Sequence, residues 1–309
     1  MRLASYRHRP RHAAVRRVVR WLGAALAIAG VWLGLTAAGS IGAQASVRTT
    51  VVTAPTTAAP TTAAPAPTPA TPATAAPSTA RAPHVVVLGD SVPAGDGCSC
   101  TPYATLVGNG LSQLDGTAVT VTNAGVGGLT TAGLLAQLND ADLVQQLSTA
   151  TVVAVTIGAN DFDESLAAQS ACAAGVTGPC YAAAAAALPA LLDQVLQRID
   201  TLVPAGTSVL VTGYWNVFQD GAVGQAQGAT YVSTADALTL AVNAIISEAA
   251  AANGDVYVDE YAPFHATTAA GLTALLASDG DHPSASGHEL IADLLLTALS
   301  ATQATPAHA

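Results

Sequence analysis

The residues of this sequence best suited to chemistry are Ser91 and His282. Ser91 follows the short apolar run 84–88 and Gly89, and His282 closes the motif Asp279-Gly280-Asp281-His282. A serine hydroxyl is a poor nucleophile unless a base takes its proton, and histidine is suited to that role near neutral pH. The pattern predicts covalent catalysis with Ser91 as nucleophile and His282 as general base.

Asp279 is predicted to hold the imidazole of His282. An acid three residues before a histidine, across a tight turn that contains glycine, can accept a hydrogen bond from the ring and fix its tautomer. Asp281 is adjacent to His282 and is expected to face solvent or to cap the turn. His265 and His288 are weaker candidates for the base, because neither has an acid at the same spacing.

Two further motifs lie between these residues. Asn160, in Gly158-Ala159-Asn160-Asp161, can donate a hydrogen bond to a developing oxyanion, although a turn asparagine that caps the next helix is the plainer interpretation. The segment 123–131 contains three glycines, which permit close approach of the backbone to a bound group. This segment lacks both the Gly-Lys-Ser/Thr of a phosphate loop and the spacing of a dinucleotide fingerprint.

Alternating strands and helices are predicted to position these motifs. Apolar or β-branched runs indicate strands at 84–88, 117–122, 151–157, 207–212 and 255–258, and helical patterns occupy 102–114, 131–147, 181–202, 233–253 and 286–299. This alternation predicts an α/β fold with a mainly five-stranded parallel sheet that helices cover on both faces. Ligands bind beyond the carboxyl ends of the strands in such sheets, where Ser91 and Asn160 fall.

Together the four motifs resemble those of the SGNH (GDSL) hydrolase family, over about residues 84–299. The resemblance implies a flavodoxin-like three-layer α/β/α sandwich and ester hydrolysis without a cofactor or metal. It implies a catalytic triad of Ser91, Asp279 and His282. It also implies an oxyanion hole made by Ser91, Gly128 and Asn160, where Gly128 is preferred to Gly125 because Asn123 and Thr130 then fall in register. The Gly-x-Ser-x-Gly elbow of α/β-hydrolases is absent around Ser91.

Charge divides the chain into a basic leader and an acidic body. The first 83 residues carry nine of the ten arginines and no acid, whereas residues 84–309 carry one arginine and all twenty acids, a formal charge of −19. Such a body is expected to repel nucleic acid and anionic membrane surfaces, so neutral or cationic partners are favoured. A small neutral ester or acylated sugar is the expected substrate, and a monomer is the expected state.

The first 83 residues are predicted to export and to space the domain that follows. A basic region, an uncharged apolar run at 21–39 and the small residues Ala43-Gln44-Ala45 form the order of a signal peptide over 1–45. Because the apolar run is nearly long enough to span a bilayer, an uncleaved signal anchor is the alternative. Residues 46–83 are rich in Thr, Ala and Pro and are predicted to be a disordered linker. The hydrolase domain is then 84–302, and 303–309 is a flexible tail.

Four cysteines are consistent with a disulfide-bonded protein outside the cell, secreted or anchored at its surface. Cys98, Cys100, Cys172 and Cys180 allow three pairings, of which a local Cys172–Cys180 bond and cross-pairing of the two sets both stay open. A zinc site is disfavoured, because this spacing is not that of zinc ligands.

The function predicted is that of an exported esterase or lipase. Two alternatives stay open: a cell-envelope sugar O-deacetylase or acyltransferase, which the spacer would hold near the wall, and a catalytically inactive domain that binds envelope polymer. The presence of Ser91, Asp279 and His282 argues against the inactive domain.

Overall fold

The structure, a computed structural model, describes residues 81–304 and centres on a five-stranded parallel sheet. The strands lie in the order β2-β1-β3-β4-β5, and every pair of neighbours is parallel. The bounds are β1 His84–Gly89, β2 Thr120–Gly125, β3 Val152–Thr156, β4 Ser208–Thr212 and β5 Val256–Val258. The predicted α/β fold and its five strands are confirmed.

The sheet is covered on both faces by helices. These are α1 Ser91–Ala94, α2 Tyr103–Asp115, α3 Thr131–Gln137, α4 Ala141–Leu147, α5 Ala182–Leu202, α6 Gly221–Ala226, α7 Ala229–Asn253, α8 Tyr261–His265, α9 Ala269–Leu275 and α10 Ala285–Ala304. Helix α2 packs against α10, and α5 packs against both α3 and α7. The central strands β1 and β3 are buried along their whole length, because helices cover them on both sides.

The strand order creates a crevice beside the end of β1. The chain passes from β1 to β2 on one side and then crosses to β3 on the other, so the connections that leave β1 and β3 diverge. In sheets of this order, ligands bind at that point of divergence. Gly89 ends β1 in register with Gly125 of β2 and Thr156 of β3, so the segments that carry Ser91, Gly128 and Asn160 all leave the sheet at one edge.

Three features differ from the sequence prediction. Strand β2 begins and ends three residues later than predicted, so Asn123 lies within the strand. The helix predicted over 131–147 is two helices, because Asp140 starts α4 by accepting hydrogen bonds from the N–H groups of Asp142 and Leu143. The short helices α6, α8 and α9 lie in regions where no helix was predicted.

Both disulfides are local. Cys98 bonds to Cys100 and Cys172 bonds to Cys180, so the cross-paired alternative is not the one observed. The predicted signal segment 1–45 and residues 46–80 of the predicted linker lie outside the described residues. The predicted tail begins too early, since α10 extends through Ala304.

Among the described residues, one helix has the length and mean hydropathy of a membrane span. This helix is α7, and its apolar residues, including Leu238, Val242 and Ile246, are buried in the domain core. Helix α7 is therefore accounted for as a core helix.

Candidate active site

Ser91 is held at a sharp turn where β1 gives way to α1. Gly89 has a positive φ of 133°, and a Cβ there would lie 1.9 Å from the carbonyl oxygen of Thr156, so the close packing of β1 on β3 requires glycine. Asp90 caps α1, its carboxylate accepting a 3.0 Å hydrogen bond from the N–H of Val92. Ser91 is thereby placed in the first turn of a helix, where backbone N–H groups are unpaired within the helix.

A buried tyrosine ties the Ser91 turn to the Asn160 turn. The hydroxyl of Tyr214 donates a hydrogen bond to the Asp90 carboxylate and accepts one from the N–H of Ala159 at 3.4 Å. Both Asp90 and Tyr214 are buried. Burial raises the pKa of Asp90 to about 7, although the hydrogen bonds from Tyr214 and Val92 favour its charged form. Tyr214 thus fixes the spacing between the two turns that follow β1 and β3.

His282 is oriented by Asp279, as the spacing predicted. One carboxylate oxygen of Asp279 lies 2.9 Å from Nδ1 of His282, and the other accepts from the N–H groups of Asp281 and His282 at 3.1 Å. Asp279 therefore holds both the ring and its turn, and Nε2 of the ring stays available. Burial raises the pKa of Asp279, but its bonds to His282 and to the two N–H groups outweigh this and lower it below the ordinary value.

The surroundings of His282 favour its charged form. Burial lowers the pKa of His282, but the Asp279 hydrogen bond and the charges of Asp281, Asp279 and Asp96 outweigh burial and raise it above the ordinary value. Gly97 packs directly on this pair, since a Cβ there would lie 2.6 Å from Cβ of His282 and 2.8 Å from the Asp279 carboxylate. The segment that leads into the Cys98–Cys100 disulfide thus covers the His282–Asp279 pair.

Asn160 lies in the turn after β3 and contacts the glycine-rich segment. Its Nδ2 donates a 3.1 Å hydrogen bond to the carbonyl of Leu129, the residue after Gly128. An asparagine amide has two N–H donors, so one is left for a ligand. Gly128 has a positive φ of 73° and open space beside its Cα. The structure therefore brings Asn160 to the segment that carries Gly128.

Ser91, Asn160 and His282 line a single cavity of about 70 Å³, although they lie up to 191 positions apart. Asp279 lies behind His282, and Gly128 lies outside the cavity lining. The other side chains that line the cavity include Phe162, Glu164, Tyr214, Trp215, Asn216, Phe218 and Asp281. The cavity thus combines a hydroxyl, an imidazole and an amide donor.

Asp281 faces solvent in part, as expected, and also lines the cavity. Its side chain is 40% exposed, and its carboxylate lies 3.9 Å from Nδ1 of His282. Burial and the charges of Glu164 and Asp279 raise the pKa of Asp281 to about 6, against the opposing effect of His282. The turn that carries Asp281 is held in place, since the carbonyl of Gly280 accepts a 2.6 Å hydrogen bond from the N–H of Asp220.

The two competing histidines have other environments. His288 is fully buried, its Nδ1 accepts from the N–H of Tyr103, and burial together with the charge of His282 lowers its pKa to about 4. His265 has an acidic partner after all, because its Nε2 lies 3.2 Å from the carboxylate of Asp220, which is 45 residues away. This second pair borders a separate cavity with Asp236 and Ser233.

One group of metal-binding residue types occurs among the described residues. The ligand atoms of Cys98, Cys100 and His288 lie within 4.8 Å of one another. Both sulfurs are bonded to each other and Nδ1 of His288 accepts from the N–H of Tyr103, so this group is committed to the protein structure.

The site predicts an acid limb in the pH profile of hydrolysis. In its predicted role as the base, His282 must be neutral to accept a proton, so kcat/KM should fall as pH drops through its pKa, with a midpoint above the ordinary 6.5. Asp281→Asn removes one charge that raises this pKa and should move the midpoint down by about 0.5 to 1 pH unit. Asp293→Asn, an exposed change on α10, is the control. A midpoint that stays in place in Asp281→Asn would contradict the assignment of His282 as the base.

Comparison with solved structures places the fold among lipases and esterases. A lipase from a goat rumen metagenome superposes with a TM-score of 0.57 at 20% identity, covering 70% of this chain and 97% of its own. An extracellular lipase from Streptomyces rimosus superposes with a TM-score of 0.50 at 26% identity, covering 71% of this chain and 99% of its own. A variant of an acetyl-xylooligosaccharide esterase from Geobacillus superposes with a TM-score of 0.50 at 20% identity, covering 70% of this chain and 94% of its own. The fold is that of the SGNH hydrolases.

The chain belongs to the GDSL-like Lipase/Acylhydrolase family, whose model matches residues 87–290. The resemblance seen in the sequence is thus confirmed, and the protein is a hydrolase that acts on ester bonds. A comparison with curated proteins found no match.

The sequence analysis missed the aromatic residues that line part of the cavity. Tyr214, Trp215 and Phe218 lie in the run Gly-Tyr-Trp-Asn-Val-Phe that follows β4, and Phe162 follows Asn160. The position of this run, directly after a predicted strand, was the available signal. Parallel strands place their carboxyl ends at one edge, so residues that follow β4 reach the same crevice.

Proposed function

We propose that this protein is an exported, monomeric esterase that cleaves short-chain acyl esters with Ser91, His282 and Asp279 as a catalytic triad. The observation that carries the proposal is the shared cavity: Ser91 and His282 line it together, and Asp279 holds His282 from behind. The family supplies the reaction class, and the geometry supports the choice of residues.

The reaction runs in two steps. Nε2 of His282 takes the proton of Ser91 as the hydroxyl oxygen attacks the ester carbonyl, and the ionised Asp279 stabilises the imidazolium. The tetrahedral intermediate collapses, its alcohol leaves with the proton from His282, and an acyl-serine forms. Water, deprotonated by His282, then attacks this ester, and Ser91 departs with its proton restored.

The amides of Ser91 and Gly128 and the side chain of Asn160 are proposed to bind the oxyanion. Asn160→Ala should lower kcat by about 10²- to 10³-fold with a much smaller change in KM, because an oxyanion donor acts mainly on the transition state. Steady-state kinetics with 4-nitrophenyl acetate measures both constants. Asn139→Ala, which removes an exposed asparagine from the end of α3, is the matched control. Equal kcat in both variants would remove Asn160 from the oxyanion hole.

The size of the cavity favours a short acyl group. A volume of about 70 Å³ holds a few water molecules, which leaves room for an acetyl or propionyl group beside Ser91. The test is a series of 4-nitrophenyl esters from two to twelve acyl carbons. We expect kcat/KM to be highest at two to four carbons and to fall by about tenfold or more by eight carbons. A flat or rising profile would contradict this preference.

A sugar O-deacetylase is the second candidate, and the same small cavity favours it because the acyl group removed is acetyl. Release of acetate from acetylated xylan or acetylated cell-wall polysaccharide, measured beside 4-nitrophenyl acetate, separates the candidates. A polysaccharide preferred over the small ester would make the deacetylase the better description. Acyl transfer to an added sugar instead of to water would identify an acyltransferase.

Export is proposed from the signal-like pattern of 1–45 and from the two disulfides of the described domain, since such bonds persist in oxidising compartments. Cell fractionation with detection of the hydrolase domain tests this. Domain found in the cytoplasm with reduced cysteines would contradict it.

A further inference from the structure

Two carboxylates line the proposed active-site cavity without a part in the proposed mechanism. They are Glu164, in the turn Glu164–Leu166 after Asn160, and Asp281. Glu164 is held in place, since its Oε1 accepts a 3.0 Å hydrogen bond from the hydroxyl of Tyr231, which itself accepts from the N–H of Gln219 at 3.0 Å. Its carboxylate is therefore a fixed feature of the wall.

The two carboxylates are close enough to affect each other, and His282, whose Nδ1 lies 3.9 Å from Asp281, is the basic side chain that lies beside them among the described residues. The charge of Glu164 contributes to the raised pKa of Asp281, which at about 6 still leaves Asp281 mostly ionised at pH 7.5. The sequence has no lysine. The two arginines within the described range bond to the carbonyl of Ala150 and to Thr201, at the opposite edge of the sheet. Every ion pair found in that range involves a histidine.

Aromatic side chains contribute to the smaller, apolar part of the remaining wall. Phe162, Trp215 and Phe218 line the cavity and are buried, with Tyr214 beside them. Aromatic faces attract cations, and a carboxylate beside them adds direct charge attraction. A mainly polar cavity that carries the negative charge of two carboxylates, with some aromatic surface beside them, disfavours an anion and favours a cation.

We infer that Glu164 and Asp281 make this cavity selective for esters that carry an ammonium group within a few bonds of the scissile carbonyl. The inference rests on the proposed function and adds the substrate class of the same site. An ammonium group would lie between the two carboxylates and relieve their repulsion. A neutral isostere would leave that repulsion unchanged. An ester with a carboxylate in that position should be the poorest substrate.

The test compares matched esters that differ in charge alone. The pairs are acetylcholine with 3,3-dimethylbutyl acetate, and alanine methyl ester with methyl isobutyrate, which place the charge on the alcohol and the acyl side respectively. The measured quantity is the ratio of kcat/KM for the cationic ester to that for its neutral partner. Each hydrolysis is monitored at pH 7 through the acid that it releases. Taking each ratio relative to that of a variant cancels the intrinsic reactivity of the esters.

Glu164→Gln should lower this ratio by about five- to tenfold in at least one pair, and the pair affected identifies the side that carries the ammonium group. Glutamine keeps an oxygen for the Tyr231 hydroxyl, and the charges that mainly raise the pKa of His282 are those of Asp281, Asp279 and Asp96. Glu248→Gln makes the same change of charge at an exposed position of α7 and should leave the ratio unaltered. Raising the salt concentration should also lower the wild-type ratio. Equal ratios in wild type, Glu164→Gln and Glu248→Gln for both pairs would overturn the inference.

A binding measurement separates this inference from the proposed function. Calorimetric titration of the Ser91→Ala protein should show tighter binding of choline than of 3,3-dimethylbutan-1-ol, or of alaninamide than of isobutyramide. Such selectivity, together with a wild-type protein that hydrolyses no ester, would uphold the inference and overturn the esterase. Ser91-dependent hydrolysis with no charge selectivity in binding or in kinetics would overturn the inference alone.

Discussion

Replacing Ser91 by alanine is expected to lower kcat for 4-nitrophenyl acetate by about 10⁴- to 10⁶-fold, because no other group can form the acyl-enzyme. The Asp90 cap and the Tyr214 bond do not use the Ser91 side chain, so the fold should persist. The variant should therefore melt within a few degrees of wild type. Its residual activity should come from transition-state stabilisation by the oxyanion donors alone.

Ser300→Ala is the matched control for this prediction. Ser300 is exposed on α10 and bonds only to the carbonyl of Leu296 among the described contacts, so kcat should be unaltered. Equal turnover by wild type and Ser91→Ala would remove Ser91 as the nucleophile, whatever the stability of the variant.

Replacing His282 by alanine is expected to cost nearly as much as replacing Ser91, about 10⁴-fold or more in kcat. The two residues act as one unit, because the hydroxyl needs the base and the base has no proton to take without the hydroxyl. The Ser91→Ala/His282→Ala double variant should therefore be no slower than the slower single variant. Steady-state kinetics on the two single variants, the double variant and the purified wild-type protein measures this non-additivity.

His265→Gln is the control for the choice of base. His265 has its own carboxylate partner in Asp220, so it is the other His–Asp pair of the described domain. Its replacement should leave kcat within about threefold of wild type, because His265 borders a different cavity. Losses that multiply in the Ser91/His282 double variant, or a larger loss in His265→Gln than in His282→Ala, would reassign the base.

Local patterns made the sheet predictable. Strands β1 and β3 consist mainly of β-branched or apolar residues, and these runs mark the ends of both strands to within one residue. Strand β2 shifted because its position is set by pairing with β1, in which His84 lies opposite Thr120. The alternating run 117–122 carries no information about that register, which depends on a partner 36 residues away.

The parts of the site that depend on short spacing were also predictable. Asp279 and His282 are three residues apart across a glycine turn, so their hydrogen bond follows from local geometry. The bond between Asp90 and Tyr214 joins residues 124 positions apart, and the pair of His265 and Asp220 joins residues 45 apart. Such contacts depend on how the connections pack over the sheet edge. The hydrogen bond from Asp220 to Gly280, 60 positions along the chain, is of the same kind.

Labelling with a fluorophosphonate probe tests most directly whether Ser91 and His282 work together in one cavity. The probe reacts with a serine hydroxyl only where a base activates it. The account predicts one adduct, mapped to Ser91 by mass spectrometry, and loss of that adduct in the His282→Ala protein while the His265→Gln protein labels like wild type. An adduct on any other residue, or undiminished labelling of Ser91 without His282, would contradict it.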